Sequence, residues 1–352
     1  MPGAAETRAG RAGDRARRPA AWGDDARRAA GGDGAPPAAG GDRGRRSGPI
    51  LVALRDLGLG DFLTGIPALR ALARAFPEHR RVLVAPAVLA PLVALSRTGF
   101  ELWPDPPPGA DVAVNLHGRG PQSHVRLLAA RPRRLIAFAC GDHAGPEWRA
   151  GEHEVHRWCR LLAESGIEAD PGDLDLELPV TPTGATVIHP GAASEARRWP
   201  AERWAAIARV EAEAGHDVVV TGDARERELA ARIADGVPRA TVVAGQTDLS
   251  GLAATVAGAG RVLCGDTGVG HLATAFRVPS VVLFGPTPPA EWGPPPDRSR
   301  HTALWAGRRG DPHADAPDPG LLEISVDDVL AALCRPGRTR RPRVPANVNG
   351  GR

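Results

Sequence analysis

The 352-residue chain is 42% hydrophobic and 24% charged, which is typical of a globular protein and long enough for two domains. Its formal charge of +3 is too small to favour nucleic acid as a partner. No apolar run reaches the ~18 residues of a membrane span, and the N-terminal arginines lack the apolar segment of a signal peptide.

The two ends of the chain differ in composition from the rest. Residues 1–48 and 335–352 are rich in arginine, glycine and proline and have no hydrophobic period. Such segments bury too little apolar surface to offset the entropy of ordering. We therefore predict two disordered basic tails and interpret their arginines as solubilising charges.

Between the tails, strands and helices alternate in two runs. The first run is predicted to be a domain over 49–170, and it begins with a buried strand at 49–54. Apolar residues at helical spacing follow and end at Pro77. Further strands are predicted at 82–85, 111–116 and 135–138, and a helix at 155–164 closes the run.

A segment rich in proline, glycine and aspartate, 171–185, is predicted to link this domain to a second one over 186–334. The same alternation resumes there and favours an α/β fold with doubly wound parallel sheets. Strands are predicted at 186–189, 218–221, 241–244, 261–264 and 280–284, and helices at 201–214, 224–234, 249–257 and 271–276.

A glycine-rich turn in the second domain is the most informative segment. The strand at 261–264 breaks at residues 265–270, Gly-Asp-Thr-Gly-Val-Gly, before the helix predicted from His271. A strand, turn and helix in this order can present unpaired backbone N–H groups to an anion. On spacing alone, an ordinary crossover with a tight turn is an equal alternative.

The alternation also raises the question of a dinucleotide site. Gly58-Leu59-Gly60 would need a third small residue at the position of Leu63, and Gly258-Ala259-Gly260 precedes a strand instead of following one. Neither segment has the context of a dinucleotide fingerprint. A nicotinamide-dependent oxidoreductase is therefore a minor alternative.

Four segments carry motifs in a fixed order: 54–77 (LRDLGLGDFLTGIPALRALARAFP), 187–208 (VIHPGAASEARRWPAERWAAIA), 218–230 (VVVTGDARERELA) and 265–294 (GDTGVGHLATAFRVPSVVLFGPTPPAEWGP). Together they resemble glycosyltransferase family 9, the heptosyltransferase family. The resemblance covers about residues 50–330. It implies the GT-B architecture, in which two Rossmann-like doubly wound domains face each other across a cleft.

The resemblance assigns the two tasks of sugar transfer to Asp61 and Arg197. Asp61 is implied to be the general base for the acceptor hydroxyl, a role worth roughly 10²–10⁴ in rate. The alternative for Asp61 is the N-cap of the following helix. Arg197 stands where the family usually carries lysine and is implied to hold the donor diphosphate. The planar guanidinium of arginine can donate to two oxygens at once, whereas the lysine ammonium is a compact point charge, so the two are not equivalent.

The resemblance also implies a donor site in the second domain. Ser194 and Arg198 alternatively belong to a solvated loop. Glu226 alternatively lies on an exposed helix face, and His271 alternatively packs against or caps its helix. The implied donor residues are Gly191, Ser194, Arg198, Glu226, Asp266, Thr267, Gly268, Val269, Gly270 and His271.

The acceptor side is implied to lie in the first domain. His117 and Arg119 follow a predicted strand and either bind the acceptor or shape the turn. One departure from the family pattern is Gly65, which stands where relatives frequently carry threonine. The implied acceptor residues are Gly60, Thr64, His117 and Arg119.

The resemblance thus implies an inverting, metal-independent glycosyltransferase with no cofactor. ADP-heptose is the implied donor, and the acceptor is a glycan, a glycolipid or a metabolite. A nucleotide-sugar-binding protein without transfer activity is the main alternative.

The setting of the protein is predicted from its cysteines and its lack of a membrane signal. Cys140, Cys159, Cys264 and Cys334 form no C-x-x-C pair, as is typical of a reducing compartment without structural zinc. We expect a cytoplasmic monomer with at most peripheral membrane contact and no nucleic-acid partner.

Overall fold

The computed structural model describes residues 48–334. The predicted tails, 1–48 and 335–352, lie outside the described residues apart from Gly48. Within residues 48–334, no helix combines the length and the apolar character needed to traverse a bilayer.

The first half of the described chain contains a five-stranded parallel sheet in the order β3-β2-β1-β4-β5. The central strand β1 is apolar and almost fully buried because helices cover both faces of such a sheet. The strands are β1 (Ile50–Leu54), β2 (Arg80–Val84), β3 (Glu101–Trp103), β4 (Val112–Asn115) and β5 (Arg134–Ile136).

The helices of this half are α1 (Leu59–Ala75), α2 (Ala90–Leu95), α3 (Gln122–Leu128) and α4 (Glu154–Ala163), with a 3₁₀ turn at Ala87–Leu89. Helix α1 buries Phe62, Ile66 and Leu69, which repeat at helical spacing, in the core. Helix α4 packs against α1.

The second half contains a six-stranded parallel sheet in the order β11-β10-β9-β6-β7-β8. Its strands are β6 (Thr186–His189), β7 (Val218–Val220), β8 (Ala240–Val242), β9 (Arg261–Gly265), β10 (Ser280–Phe284) and β11 (His301–Trp305). Its helices are α5 (Ala201–Glu213), α6 (Arg227–Ala234), α7 (Leu249–Ala257), α8 (Gly268–Ala275), α9 (Pro289–Trp292), α10 (Pro319–Leu322) and α11 (Val326–Cys334), with 3₁₀ turns at Glu195–Arg197 and Ala224–Glu226.

The predicted strands are confirmed to within two residues at each end, but the predicted start of α8 and the N-cap alternative for Asp61 are not. Helix α8 begins at Gly268, not at His271, because Thr267 is the last extended residue. The sequence pattern did not reveal this start because the first turn contains two glycines, and glycine is a poor helix former. Asp61 is not an N-cap, because α1 begins at Leu59 and Gly58 precedes it.

The segment 171–185 contains neither a strand nor a helix and is held from both sides. From α1, Arg70 donates to the Asp173 carboxylate (2.7 Å) and to the Asp175 carbonyl oxygen (2.7 Å). From the second half, Arg298 donates to the Asp175 carboxylate (2.5 Å), and the Leu176 N–H donates to the Ala275 carbonyl oxygen (2.9 Å). The connection between the two sheets is therefore fixed by charged groups of both halves.

Candidate active site

The two halves meet where α1 and α8 begin, at the carboxyl ends of their parallel strands. Open α/β sheets bind ligands at this edge. A Cβ atom at position 268 would lie only 2.7 Å from Leu59 Cγ, and one at position 60 would lie 3.0 Å from His271 Cδ2. Glycine at both positions therefore lets the two helix ends approach closely.

A fully buried arginine lies beneath the start of α1. Arg55 follows β1 directly and has no exposed surface. Its Nε donates to the Asp61 carbonyl oxygen (2.7 Å), and its guanidinium also donates to the Leu116 carbonyl oxygen and to Thr64 Oγ1 (3.1 Å). The guanidinium carbon lies 4.8 Å from the centre of the Trp158 ring, a cation–π distance.

Glu154, on α4, provides the countercharge. Its carboxylate accepts from Arg55 (3.1 Å), from Arg157 (3.2 Å) and from the Trp158 indole (2.9 Å). Burial alone would raise the pKa of Glu154, but Arg55 and Arg157 hold it below its ordinary value. Sequence reasoning missed both Arg55 and Glu154, although an arginine directly after a buried strand is itself unusual.

Asp61 lies in the first turn of α1 with a quarter of its side chain exposed. Its carboxylate is 3.7 Å from the Arg55 guanidinium. Thr64, predicted to contact the acceptor, is buried and accepts a hydrogen bond from Arg55. Gly65 makes room for this arginine, because a Cβ there would lie 3.2 Å from Arg55 Nε. Glycine in place of the threonine that relatives frequently carry at position 65 thus leaves space for the buried Arg55 guanidinium.

On the second half, Arg197 and Asp266 lie side by side. Arg197 Nη1 donates to the Asp266 carbonyl oxygen (3.1 Å), while its buried Nε has no hydrogen-bond partner within residues 48–334. Burial raises the pKa of the Asp266 carboxyl to about 6, an effect that Arg197 partly opposes. Because buried hydrogen-bond donors are nearly always paired, the unpaired Nε of Arg197 is a candidate donor to a bound ligand.

The predicted turn forms the start of α8. Thr267 is extended, and Gly268, Val269 and Gly270 make the first helical turn. Val269 is buried, and the Gly270 N–H already donates to the Thr267 carbonyl oxygen (3.1 Å). The backbone amide predicted to contact the donor at Gly270 is therefore occupied.

His271 projects from α8 toward Gly60 and lies between two small cavities, one of which Asp266 lines with Trp292. Burial lowers the pKa of His271 to about 4, so its ring is neutral at pH 7. His153 lines the other cavity, where Nδ1 accepts the Val155 N–H (3.3 Å) and Nε2 lies 2.9 Å from the Gly293 carbonyl oxygen. Nε2 must then carry the hydrogen, which gives the neutral tautomer.

The remaining predicted donor residues lie on the loops after β6 and β7. Ser194 caps the 3₁₀ turn at Glu195–Arg197, and Arg198 pairs with Glu195 and donates to the Ala192 carbonyl oxygen (3.0 Å).

Glu226 and Gly191 are in close contact on these loops. The Glu226 carboxylate accepts the Asp223 N–H (2.9 Å) as part of a capping box, and burial raises its pKa. A Cβ at Gly191 would lie 1.9 Å from Glu226 Oε1. The predicted donor-binding roles of these residues stay predictions.

The predicted acceptor loop follows β4. Asn115 Oδ1 accepts the His117 N–H (3.0 Å), and Asn115 Nδ2 donates to the Gly118 carbonyl oxygen (3.1 Å). Burial, with Arg55 nearby, lowers the pKa of His117 to about 4. Arg119 is exposed to solvent. Asn115 therefore shapes this loop, while His117 and Arg119 remain candidates for contact with an acceptor.

The second half, together with α4 and the linker, matches a known protein family. The model of glycosyltransferase family 9 (heptosyltransferase) matches residues 143–319, just over half of the chain. Lipopolysaccharide heptosyltransferase 1 of Pseudomonas aeruginosa is 36% identical over 152 residues, which are 41% of this chain and 42% of that protein. The match thus spans less than half of the length of this curated relative.

Solved structures resemble a larger part of the chain. Escherichia coli ADP-heptose lipopolysaccharide heptosyltransferase II has a TM-score of 0.65 at 19% identity, covering 81% of this chain and 97% of that one. An E. coli heptosyltransferase solved with ADP has a TM-score of 0.63 at 19% identity, covering 81% and 98%. With the two parallel-sheet halves, these likenesses confirm the predicted GT-B fold.

The Arg55–Glu154 pair gives a first prediction. Replacing Arg55 by methionine leaves the buried Glu154 with one cationic partner fewer, so the free energy of unfolding should fall by about 3 kcal/mol or more. Adding Glu154→Gln removes the charge that lost this partner, so the two changes together should cost less than the sum of their separate costs, by a coupling of about 1–3 kcal/mol. Urea unfolding followed by tryptophan fluorescence measures both, with the exposed Arg119→Met as control. Strictly additive losses would contradict the pairing.

Asp266 gives a pH-dependent prediction. Its pKa of about 6 in the folded chain, against 3.8 for the free side chain, means that the folded state binds more protons between these values. Stability from this group is therefore present below about pH 4 and lost as pH rises through 6. We therefore compare the free energy of unfolding of Asp266→Asn with that of the wild type at two pH values. The variant's value minus the wild-type value should be about 2–3 kcal/mol larger at pH 7.5 than at pH 4. A difference that is constant across this range would show that the carboxyl is not desolvated.

Proposed function

The chain belongs to glycosyltransferase family 9, and we propose that it transfers a sugar from a nucleotide-diphosphate donor to an acceptor hydroxyl, with inversion and without a metal ion. The single observation that carries this proposal is the meeting of the start of α1, which carries Asp61, with the start of α8, where His271 lies against Gly60. The helix that carries the proposed base thereby begins beside the N-terminus of a helix from the opposite half, and helix N-termini bind anions. Because its similar relatives are named heptosyltransferases, we propose heptose as the sugar and ADP-heptose as the donor.

The donor end of the site suits a diphosphate. The N-terminus of a helix attracts phosphate oxygens through its dipole and its unpaired N–H groups. Arg197 adds a cation beside this helix end, and its buried Nε has no hydrogen-bond partner within residues 48–334. Preorganised positive groups of this kind stabilise the negative charge that develops on a leaving diphosphate, commonly by about 3 kcal/mol for each donor.

Asp266 is compatible with the same anion because of its environment. A charged carboxylate beside a diphosphate would repel it. With a pKa near 6, Asp266 is protonated in part close to neutral pH, and an anionic ligand favours this neutral form further. Asp266 would then donate a hydrogen bond to the donor.

The acceptor end supports a single displacement. Asp61 takes the proton of the acceptor hydroxyl, whose oxygen forms a bond to the anomeric carbon of the sugar. The bond between that carbon and the donor diphosphate breaks, and the diphosphate leaves with the electron pair. Arg55 anchors the main chain at Asp61 (2.7 Å) and so orients this base. Attack from the side opposite the leaving group inverts the anomeric centre.

Nucleotide binding is the first test of the proposal. Thermal unfolding of the full chain with ADP, ADP-heptose, UDP, GDP and NAD should show stabilisation by ADP and a larger effect with ADP-heptose. A ligand at ~100 times its Kd adds ~2.7 kcal/mol to the stability, which is readable as a shift of several degrees. A response to UDP or GDP alone would show that the donor carries that nucleotide and is not ADP-heptose. A response to NAD alone would overturn the transferase in favour of a nicotinamide enzyme.

Transfer is tested separately from binding at Asp61. Asp61→Asn should lower kcat by about 10²–10⁴, the usual contribution of a positioned base, and leave the Kd of ADP unchanged. Asp56→Asn is a matched control, because Asp56 lies on the loop just before α1 and is similarly exposed but pairs with Arg126 (2.7 Å). Donor binding with no transfer to any hydroxyl acceptor in the wild type would favour a binding protein instead.

A further inference from the structure

The buried guanidinium of Arg55 lies between two carboxylates, and one of its nitrogens is close to both. Arg55 Nη2 is 3.1 Å from Glu154 Oε1 and 3.7 Å from Asp61 Oδ1. This nitrogen carries two hydrogens, and it donates to Glu154 Oε1 (3.1 Å) and to Thr64 Oγ1 (3.1 Å). The Asp61 oxygen lies beyond hydrogen-bond distance from it. Asp61 is therefore near the charge of Arg55, while Glu154 binds the nitrogen directly.

Glu154 belongs to a row of alternating charges that includes Asp61. Its carboxylate lies between two cations, Arg55 (3.1 Å) and Arg157 (3.2 Å), and Arg157 is 4.0 Å from Glu152. The side chain of Glu154 is 11% exposed, against 25% for Asp61. Solvent therefore screens the bond between Glu154 and Arg55 less than the longer contact with Asp61. It follows that Glu154 offsets more of the Arg55 charge than Asp61 does.

We propose that Glu154 is a positioning residue for Asp61, because it binds Arg55 Nη2 and offsets the charge of that guanidinium. Arg55 can then hold the main chain of Asp61 through its Nε (2.7 Å) without pairing closely with the Asp61 carboxylate. This arrangement suits a general base. A carboxylate in a close pair with arginine is a poor base, since the cation favours its charged form and the carboxylate then holds a proton weakly. The role of Glu154 rests on the proposed function, in which Asp61 takes the proton of the acceptor.

Three histidines on neighbouring elements also lie near the start of α1. They are His271 on α8, His117 on the loop after β4 and His153 before α4. Burial lowers the pKa of His271 and of His117 to about 4 and lowers that of His153 as well, so the three rings are neutral at pH 7. Asp56 and Arg126 pair with each other (2.7 Å). At pH 7 the three rings therefore do not offset the guanidinium charge, as Glu154 does.

The test is a titration of Asp61 in the full chain, labelled with ¹³C at the aspartate carboxyl carbons. Carbon NMR follows each carboxyl group, and the Asp61 signal is the one missing from Asp61→Asn. Glu154→Gln keeps the shape of the side chain and removes its charge. The titration midpoint of Asp61 should then fall by about one pH unit, because the attraction of Arg55 is no longer offset.

Glu164→Gln is the matched control. It makes the same change of charge at the exposed C-terminal end of α4, about 15 Å along the helix axis from Glu154. An exposed charge at this distance is largely screened, so the midpoint of Asp61 should match that of the wild type.

Arg55→Met/Glu154→Gln is a second variant, which leaves neither member of the buried pair charged. Here the midpoint of Asp61 should rise above the wild-type value, because the cation 3.7 Å away is gone. Far-UV circular dichroism verifies that the variants are folded. An unchanged or higher midpoint in Glu154→Gln would overturn the role of Glu154. So would a double variant whose midpoint does not rise, since the shift would then follow from packing instead of charge.

The titration does not require transfer activity, so the two proposals can fail independently. An undiminished kcat in Asp61→Asn would overturn the proposed function and leave the effect of Glu154 on the Asp61 carboxyl as measured. An unshifted midpoint in Glu154→Gln, with kcat lost in Asp61→Asn, would overturn the role of Glu154 alone.

Discussion

The buried guanidinium of Arg55 is the constraint on which the first half of the site depends. An arginine without exposed surface is tolerated only when its N–H groups find acceptors and its charge finds a partner. Here the acceptors come from α1, from the loop after β4 and from α4. One charge therefore ties three segments, distant in sequence, to the end of β1. The placement of Asp61 follows from this arrangement, since its own carbonyl oxygen is one of the acceptors.

The close contact of α1 with α8 imposes a second constraint, on size instead of charge. Gly60 and Gly268 leave space that a methyl group would fill, and the neighbouring atoms belong to the opposite half. Both helices point their N-termini into this contact, so their positive dipole ends add at one place. A ligand with two adjacent phosphates suits such a place better than a neutral one. The glycines of the turn thus serve the packing of two helices as much as any loop conformation.

Much of the fold could be predicted from the sequence because its parallel strands are buried on both faces and appear as apolar runs. The positions of Asp61, Arg197 and the 265–270 turn followed from motifs. The structure places Asp61 in the first turn of α1, Arg197 in the 3₁₀ turn that follows β6, and the 265–270 turn at the end of β9. The edge strands β3 and β11 were not predicted, because a three-residue strand and one that begins with His301 have weak local signals. Glu154 was missed for another reason: its partner Arg55 is 99 residues away, and no local pattern reveals such a pairing.

The linker 171–185, which is bound by residues of both halves, determines how the two halves can move. Arg70 from one half and Arg298 from the other both bind at Asp175. A relative rotation of the halves with these bonds intact must pivot close to that residue. Displacements then grow with distance from the pivot, as along a lever arm, and are smallest where the linker meets α1 and α8. Such a motion would widen the cleft most at the side farthest from Asp175 while the bonds from Arg70 and Arg298 stay intact. Salt would ease it, because salt screens the charges of these bonds.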